Sequence, residues 1–291
     1  GRGSDPQGAI VAAAFAGVMD WVRGEGMPDD SSLPIHAVLP QLKAALAAAP
    51  NAVLVAPPGA GKTTAVAPAL LEEGWCTGEI LLLSPRRVAA RAAAERMAAM
   101  LGEKPGETVG YLTRLDSKRS ARTRITVLTE AIFVNRIVAD PELSGVSAVL
   151  FDEAHERHLD SDFGLALALE TQAVLREDLR LLVMSATLDG ERFASLMDRC
   201  AVIESEGRSH PLRIAWLGSS GVDRFEDSMA DAVARAWRDE EGDILAFLPG
   251  VREIERVRER LEPRLREAVI LPLHGQVDPA AQRAAIRRDP Q

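Results

Sequence analysis

Residues Ala52–Thr64 read AVLVAPPGAGKTT: a β-branched run, Val53–Val55, then Pro57, Pro58, Gly59, Ala60 and Gly61, then Lys62, Thr63 and Thr64 opening an alanine-rich helical pattern. Strand, glycine-rich loop and helix in that order commit the chain to an α/β fold whose loop wraps a phosphate. A triphosphate needs several inward-pointing backbone N–H groups, a helix N-terminus and one mobile cation. Gly59 and Gly61 let the backbone curl without Cβ clashes, Lys62 reaches the β- and γ-phosphates, and the Thr63 hydroxyl can ligate Mg²⁺. Ala56 stands where the usual pattern has its first glycine, so the turn is expected to run through Pro57-Pro58-Gly59.

The same strand–loop–helix pattern repeats downstream. Glu79–Leu83 leads through Ser84-Pro85-Arg86-Arg87 into a helix to about Met100. Ile125–Leu128 leads through Thr129-Glu130 into a helix to Ala139. Ala148–Phe151 meets Asp152-Glu153-Ala154-His155, and Leu181–Met184 meets Ser185-Ala186-Thr187. Apolar runs alternating with helices predict a parallel sheet covered on both faces, with ligands beyond the carboxyl ends of the strands. Every polar cluster just named lies at such an end. The alternation breaks near Glu204–Pro211 and restarts with expected strands at Leu212–Leu217, Asp243–Phe247 and Val269–Leu273 and helices over Arg224–Arg238, from Val251 and over Ala281–Arg287. The expected organisation is therefore an extension outside the fold over 1–30, a first domain over 31–207, and an incomplete second α/β domain over 208–291.

Asp152 and Glu153, directly after a strand, suit a nucleotide hydrolase: Asp152 to hold Mg²⁺ through water, Glu153 to orient and deprotonate the attacking water. Asp alone could equally cap a helix; the phosphate loop upstream favours the catalytic reading. His155 reads either as a relay of γ-phosphate state or as a structural histidine. Ser185 and Thr187 place hydroxyls where they can bond His155 or Asp152.

The formal net charge is −9, the wrong sign for binding nucleic acid through bulk charge, so such binding needs a local basic patch. Arg86, Arg87 and Arg91 open one helix, Arg114, Lys118, Arg119, Arg122 and Arg124 follow Tyr111, and Arg136 lies on the helix after Thr129. Together with Thr129 they can cradle a nucleic-acid backbone. Read as a solvated charged face, Lys118–Arg124 needs no ligand. The cysteines, Cys76 and Cys200, lack metal-ligand spacing and read as reduced, buried side chains of a cytoplasmic protein. No apolar run is long enough to span a bilayer.

Taken in order, APPGAGKTT, SPRRVAARAAAERM, LTEAIFVNRI, DEAHERH and SAT resemble the motifs of the DEAH-box RNA helicases, and GYLTRLDSKRSARTRI, ADPELSGV and SEGRSHP look most like the bacterial HrpB type. The resemblance runs from about Ser31 to the end. It implies two RecA-like domains closing over ATP while single-stranded RNA crosses both, in a monomer with no membrane role. It assigns Pro58, Gly59, Ala60, Gly61, Lys62, Thr63 and Thr64 to the nucleotide, with Thr63 and Asp152 on Mg²⁺ and Glu153 on water. His155, Ser185 and Thr187 become the coupling set, while Arg86, Arg87, Arg114, Thr129 and Arg136 fall to RNA, and Arg96 to stacking on the nucleotide base. LAFLPGVREIE, with Phe247, Leu248 and Gly250 in register, and His274-Gly275 match later family stretches. Ala131 departs from the family's usual glycine. The family's last two motifs, with arginines that reach the γ-phosphate, lie beyond the sequence, so the expectation is nucleotide binding with poor hydrolysis and no unwinding. A nucleotide-gated RNA clamp and a DNA-directed motor are the alternative functions for the same core.

Overall fold

The structure is a computed structural model describing residues 9–13, 33–114, 116–187, 190–206, 213–218, 224–274 and 277–278. The chain divides into two compact units, Pro28–His210 and a second that joins Gly1–Met27 to Pro211–Gln291. Strand β1 (Ala9–Ala13) belongs to the second.

In the larger unit the elements follow as α1 (Leu39–Ala48), β2 (Asn51–Val55), α2 (Lys62–Leu70), β3 (Glu79–Ser84), α3 (Arg87–Met100), β4 (Val109–Leu112), β5 (Ser117–Lys118) and β6 (Ile125–Thr129). They continue with α4 (Glu130–Ala139), β7 (Val146–Phe151), α5 (Leu159–Val174), β8 (Arg180–Ser185), α6 (Gly190–Leu196) and β9 (Ala201–Glu204). One eight-stranded sheet runs in the order β5-β4-β6-β3-β7-β8-β2-β9, parallel except for the antiparallel β4–β5 pair at one edge.

Period two along each strand sorts the apolar runs onto two faces. Leu54, Ile80, Leu82, Leu150, Leu182 and Met184 point to one core, which α1, α2 and α3 complete through Leu42, Leu46, Leu70 and Met97. Val53, Leu81, Leu83, Val149, Phe151 and Val183 point to the other, under α4, α5 and α6. There Phe133 and Phe151 meet edge to face at 5.7 Å between ring centres. Burial on both faces is why these strands read as continuous apolar runs rather than alternating ones.

The smaller unit contains α7 (Phe225–Asp239), β10 (Ile244–Phe247), α8 (Val251–Leu261) and β11 (Val269–Leu273), with its own core around Ala230, Val233, Leu248, Ile254, Val257 and Leu261. Its sheet order is β10-β1-β11, with both pairings parallel. An extension outside the fold was expected over 1–30; Ala9–Ala13 instead supply the central strand, and the reason is backbone pairing. A strand between β10 and β11 bonds to one edge of each, and that pairing outweighs the weak strand propensity of the three alanines in AIVAA.

The strand expected at Leu212–Leu217 does not form: described residues 213–218 are irregular, and Trp216 is 92% exposed. Apolar content alone suggested it, but no strand among the described residues pairs there. The expected helix at 281–287 lies outside the described residues. Among the described residues no helix is long and apolar enough to cross a membrane.

Candidate nucleotide and nucleic-acid site

The loop after β2 turns as the sequence suggested. Ala60 N–H donates to the Pro57 carbonyl at 3.2 Å, closing a turn whose third residue, Gly59, has φ +78°. Gly61, at φ +92°, is the residue immediately before α2, and a Cβ there would lie 2.7 Å from Leu33 Cδ1. Ala56 is buried and its N–H donates to the Ser185 carbonyl, extending the sheet by one bond. An alanine is therefore accommodated in place of the first glycine.

Parallel neighbours bring the acidic pair to this loop. The Asp152 N–H bonds the Leu83 carbonyl at the end of β3, fixing the carboxylate at the carboxyl edge. Its Oδ2 accepts a 2.6 Å hydrogen bond from Thr63 Oγ1, and its Oδ1 accepts from the Glu153 N–H at 2.9 Å. Lys62 Nζ lies 3.1 Å from Glu153 Oε1. Lys62 and Asp152 are 4% and 3% exposed, so both charges depend on their partners. Burial, reinforced by the negative charge of Glu153, raises the Asp152 pKa to about 6 against the pull of Lys62 and Thr63. Glu153 itself sits at φ +52°, an unfavourable conformation for a non-glycine residue, which aims its carboxylate at Lys62.

A buried carboxylate beside a hydroxyl is the oxygen donor set that suits Mg²⁺, which takes few protein ligands and completes its shell with phosphate and water. No group of three or more His, Cys, Asp or Glu that could hold a metal occurs among the described residues.

His155 joins this centre to β8, but not through the hydroxyls expected to do so. Its Nδ1 lies 3.2 Å from the Ala186 N–H and 3.3 Å from Glu153 Oε2. One nitrogen cannot accept from the amide and donate to the carboxylate at once, so these contacts belong to different protonation states of Nδ1. Ser185 Oγ instead accepts from the Thr187 N–H at 3.2 Å and lies 3.4 Å from Thr187 Oγ1. The Ala186 amide escaped sequence reading because every non-proline residue has one.

The basic residues separate by position. Arg87, Arg114 and Thr129 line a cavity of about 470 Å³ that Glu130, Asn135 and Asp160 also border. Arg86, beside it, reaches Glu156 at 3.3 Å. Arg136 lies elsewhere: its guanidinium is 3.0 Å from Glu79, the first residue of β3, so it sits toward the amino edge of the sheet. Glu79 also takes Arg119 at 2.7 Å and the Thr126 hydroxyl. Arg124 bonds the carbonyls of Gly78 and Cys76. Arg119, Arg124 and Arg136 thus brace the fold, whereas Arg87 and Arg114 face an open cavity. Arg96 is half-buried on α3, which packs against α2.

Both cysteines are free, and burial raises both thiols, Cys200 to about 11, which disfavours the reactive thiolate. Sequence reading also missed Glu130, Glu156 and His158. His158 Nδ1 lies 3.3 Å from Glu130 Oε2 and its Nε2 lies 3.2 Å from Glu156 Oε2.

The sequence model described as DEAD/DEAH box helicase matches residues 38–196. The ATP-dependent RNA helicase HrpB of Escherichia coli K12 is 48% identical over 262 residues, 90% of this chain and 32% of that protein. The pre-mRNA-splicing factor ATP-dependent RNA helicase prp22 of Schizosaccharomyces pombe is 35% identical over 84% of this chain and 22% of its own length. The crystal structure of the E. coli DEAH/RHA helicase HrpB superposes with a TM-score of 0.83 at 48% identity, covering 89% of this chain and 33% of that one. A second, of the E. coli DExH-box NTPase HrpB, gives 0.78 at 46% identity over 90% and 32%. The chain spans about a third or less of the length of the relatives it matches.

Proposed function

Because the chain belongs to the DEAD/DEAH box helicase family, we propose that it carries the nucleotide-binding core of an ATP-dependent RNA helicase, acting in the cytoplasm with Mg²⁺ and RNA. The observation that carries this reading is the meeting of Lys62 with Glu153 and of Thr63 with Asp152 at the carboxyl edge of one sheet.

In this reading the backbone of Pro58–Thr64 and the Lys62 ammonium hold the triphosphate. Thr63 and Asp152 would hold Mg²⁺, which would supply positive charge to the phosphates. As Lys62 turns to the phosphates it releases Glu153, whose carboxylate then accepts a proton from the water that attacks the γ-phosphorus, while the bond from that phosphorus to the β,γ-bridging oxygen breaks and ADP leaves with that oxygen. His155 and the Ala186 amide lie on the route from that centre into β8, with Ser185 and Thr187 as its neighbours. Arg96 is assigned to the nucleotide base, and Arg86, Arg87, Arg114 and Thr129 to the RNA backbone. Arg136, held by Glu79, is left out of the RNA face.

The test is ATP binding and turnover by this chain with and without single-stranded RNA, with Glu153→Gln and Lys62→Ala as controls. ATP binding lost in Lys62→Ala, and turnover lost in Glu153→Gln, is the expected pattern. ATP binding indifferent to Lys62→Ala would overturn the reading. A single-stranded DNA of the same sequence, competing equally with RNA, would replace RNA by nucleic acid in general as the partner.

A further inference from the structure

His158 lies where two stretches of the larger unit come together. One is the short 3₁₀ turn Ala154–Glu156, directly after Asp152-Glu153; the other is the first turn of α4, directly after Thr129. Its two ring nitrogens face one carboxylate each, Glu156 at 3.2 Å and Glu130 at 3.3 Å. Glu156 in turn meets Arg86 at 3.3 Å. The result is a continuous chain, Arg86–Glu156–His158–Glu130, from the helix that opens with Arg87 to the cavity wall formed by Thr129 and Glu130.

Exposed ion pairs usually contribute little, and His158 is 41% exposed. Glu130 is different: its side chain is only 8% exposed, and burial raises its pKa against the opposing influence of His158 and of the Ser161 hydroxyl. Asp160, on α5, adds a second negative charge to the same surroundings. A buried carboxylate on the wall of a cavity that also presents Arg87 and Arg114 repels phosphate unless a cation neutralises it, and His158 is the group in contact. Only a ring protonated on both nitrogens donates to both carboxylates; a neutral ring donates to one and turns a lone pair toward the other.

We infer that His158 is a positioning residue, strapping the turn after Asp152-Glu153 to the start of α4 so that the nucleotide centre and the cavity lined by Arg87, Arg114 and Thr129 shift together. The inference rests on the helicase reading given above. Its consequence is a coupling between nucleotide and RNA affinities that runs through the His158 bridge between Glu156 and Glu130.

The experiment measures the affinity of this chain for fluorescein-labelled oligouridylate by anisotropy, without nucleotide and with Mg²⁺ plus a non-hydrolysable ATP analogue. The ratio of the two dissociation constants is the coupling. The wild-type ratio is expected to differ from unity by about fivefold or more. His158→Gln, neutral and with a single donating nitrogen, is expected to bring the ratio close to unity while still binding each ligand alone. His158→Arg, with several donors and a permanent charge, should keep the coupling. A ratio unchanged in His158→Gln, or a wild-type ratio of unity, overturns the inference. Should His158→Gln fail to fold, as shown by its melting curve, His158→Arg and Glu156→Gln decide: a ratio near unity in the first, or one unchanged from wild type in the second, overturns the inference. Wild-type protein that binds neither ligand would instead refute the helicase reading itself, and this inference with it.

Discussion

The Lys62 ammonium and the Glu153 carboxylate stand 3.1 Å apart, one supplied by the first turn of α2 and the other by the segment that follows β7. A group expected on a phosphate and a group expected on a water thus lie within ion-pair distance of each other. Glu153→Gln removes this competition. ATP affinity is expected to rise by about two- to tenfold, since a partly exposed ion pair contributes on the order of 1 kcal/mol. Turnover should fall by about 10² or more with the loss of the base. Calorimetric titration with ATP and a phosphate-release assay read the two effects separately; weaker ATP binding in Glu153→Gln would contradict the exchange.

Asp152 sets a pH dependence of stability. Its pKa is about 6 in the folded chain and 3.8 in the ordinary carboxylate, so the folded state disfavours the ionised form. Below about pH 4 the group is protonated in both states and imposes no penalty. As pH rises through about 6 the folded state must carry a buried anion, and the destabilisation becomes complete at neutral pH, on the order of 3 kcal/mol. Asp152→Asn should therefore melt several degrees above wild type at neutral pH, with the gap closing toward pH 4. A gap independent of pH would refute this account.

Arg136 and Arg87 should separate stability from RNA binding. Arg136→Ala leaves Glu79, which is 12% exposed, with one cation fewer, so a loss of about 1–3 kcal/mol is expected in urea melts with RNA affinity unchanged. Arg87→Ala, at an exposed position lining the cavity, should leave the melt unchanged, weaken RNA binding and reduce the salt slope by about 0.7. The reverse pattern would return Arg136 to the RNA face.

Gly61→Ala should weaken both the fold and the nucleotide site. The new Cβ meets Leu33 Cδ1 at 2.7 Å, and φ +92° is strained for any L side chain. A loss of about 1–2 kcal/mol is expected, with weaker ATP binding, whereas Gly59→Ala shares the strain at φ +78° but meets no atom within 4 Å. Equal melting temperatures for the two variants would remove the steric part of this argument.

The parallel sheet was legible because strands buried on both faces leave unbroken apolar runs, and the phosphate loop because its chemistry fixes residue types at fixed spacing. β5, only Ser117 and Lys118, carries no such signal and is exposed, so its pairing with β4 emerges only from tertiary contacts. β1 was hidden for another reason: its partners are Ile244–Phe247 and Val269–Leu273, at the other end of the sequence. The basic residues show the limit most plainly. Arg87 and Arg136 look alike as charges near strand ends, but six residues of helix carry Arg136 to the opposite edge of the sheet, where Glu79 waits. Charge sign is local information, whereas the partner is not.

The two internal pairings after β2, Lys62 with Glu153 and Thr63 with Asp152, tie together four groups that the proposed reading divides among phosphate, metal and water. A bare anion that captures Lys62 strands Glu153 without its cation, and a bare divalent ion that captures Asp152 leaves Lys62 still engaged. Only a ligand bringing phosphate and metal together repartners all four residues at once.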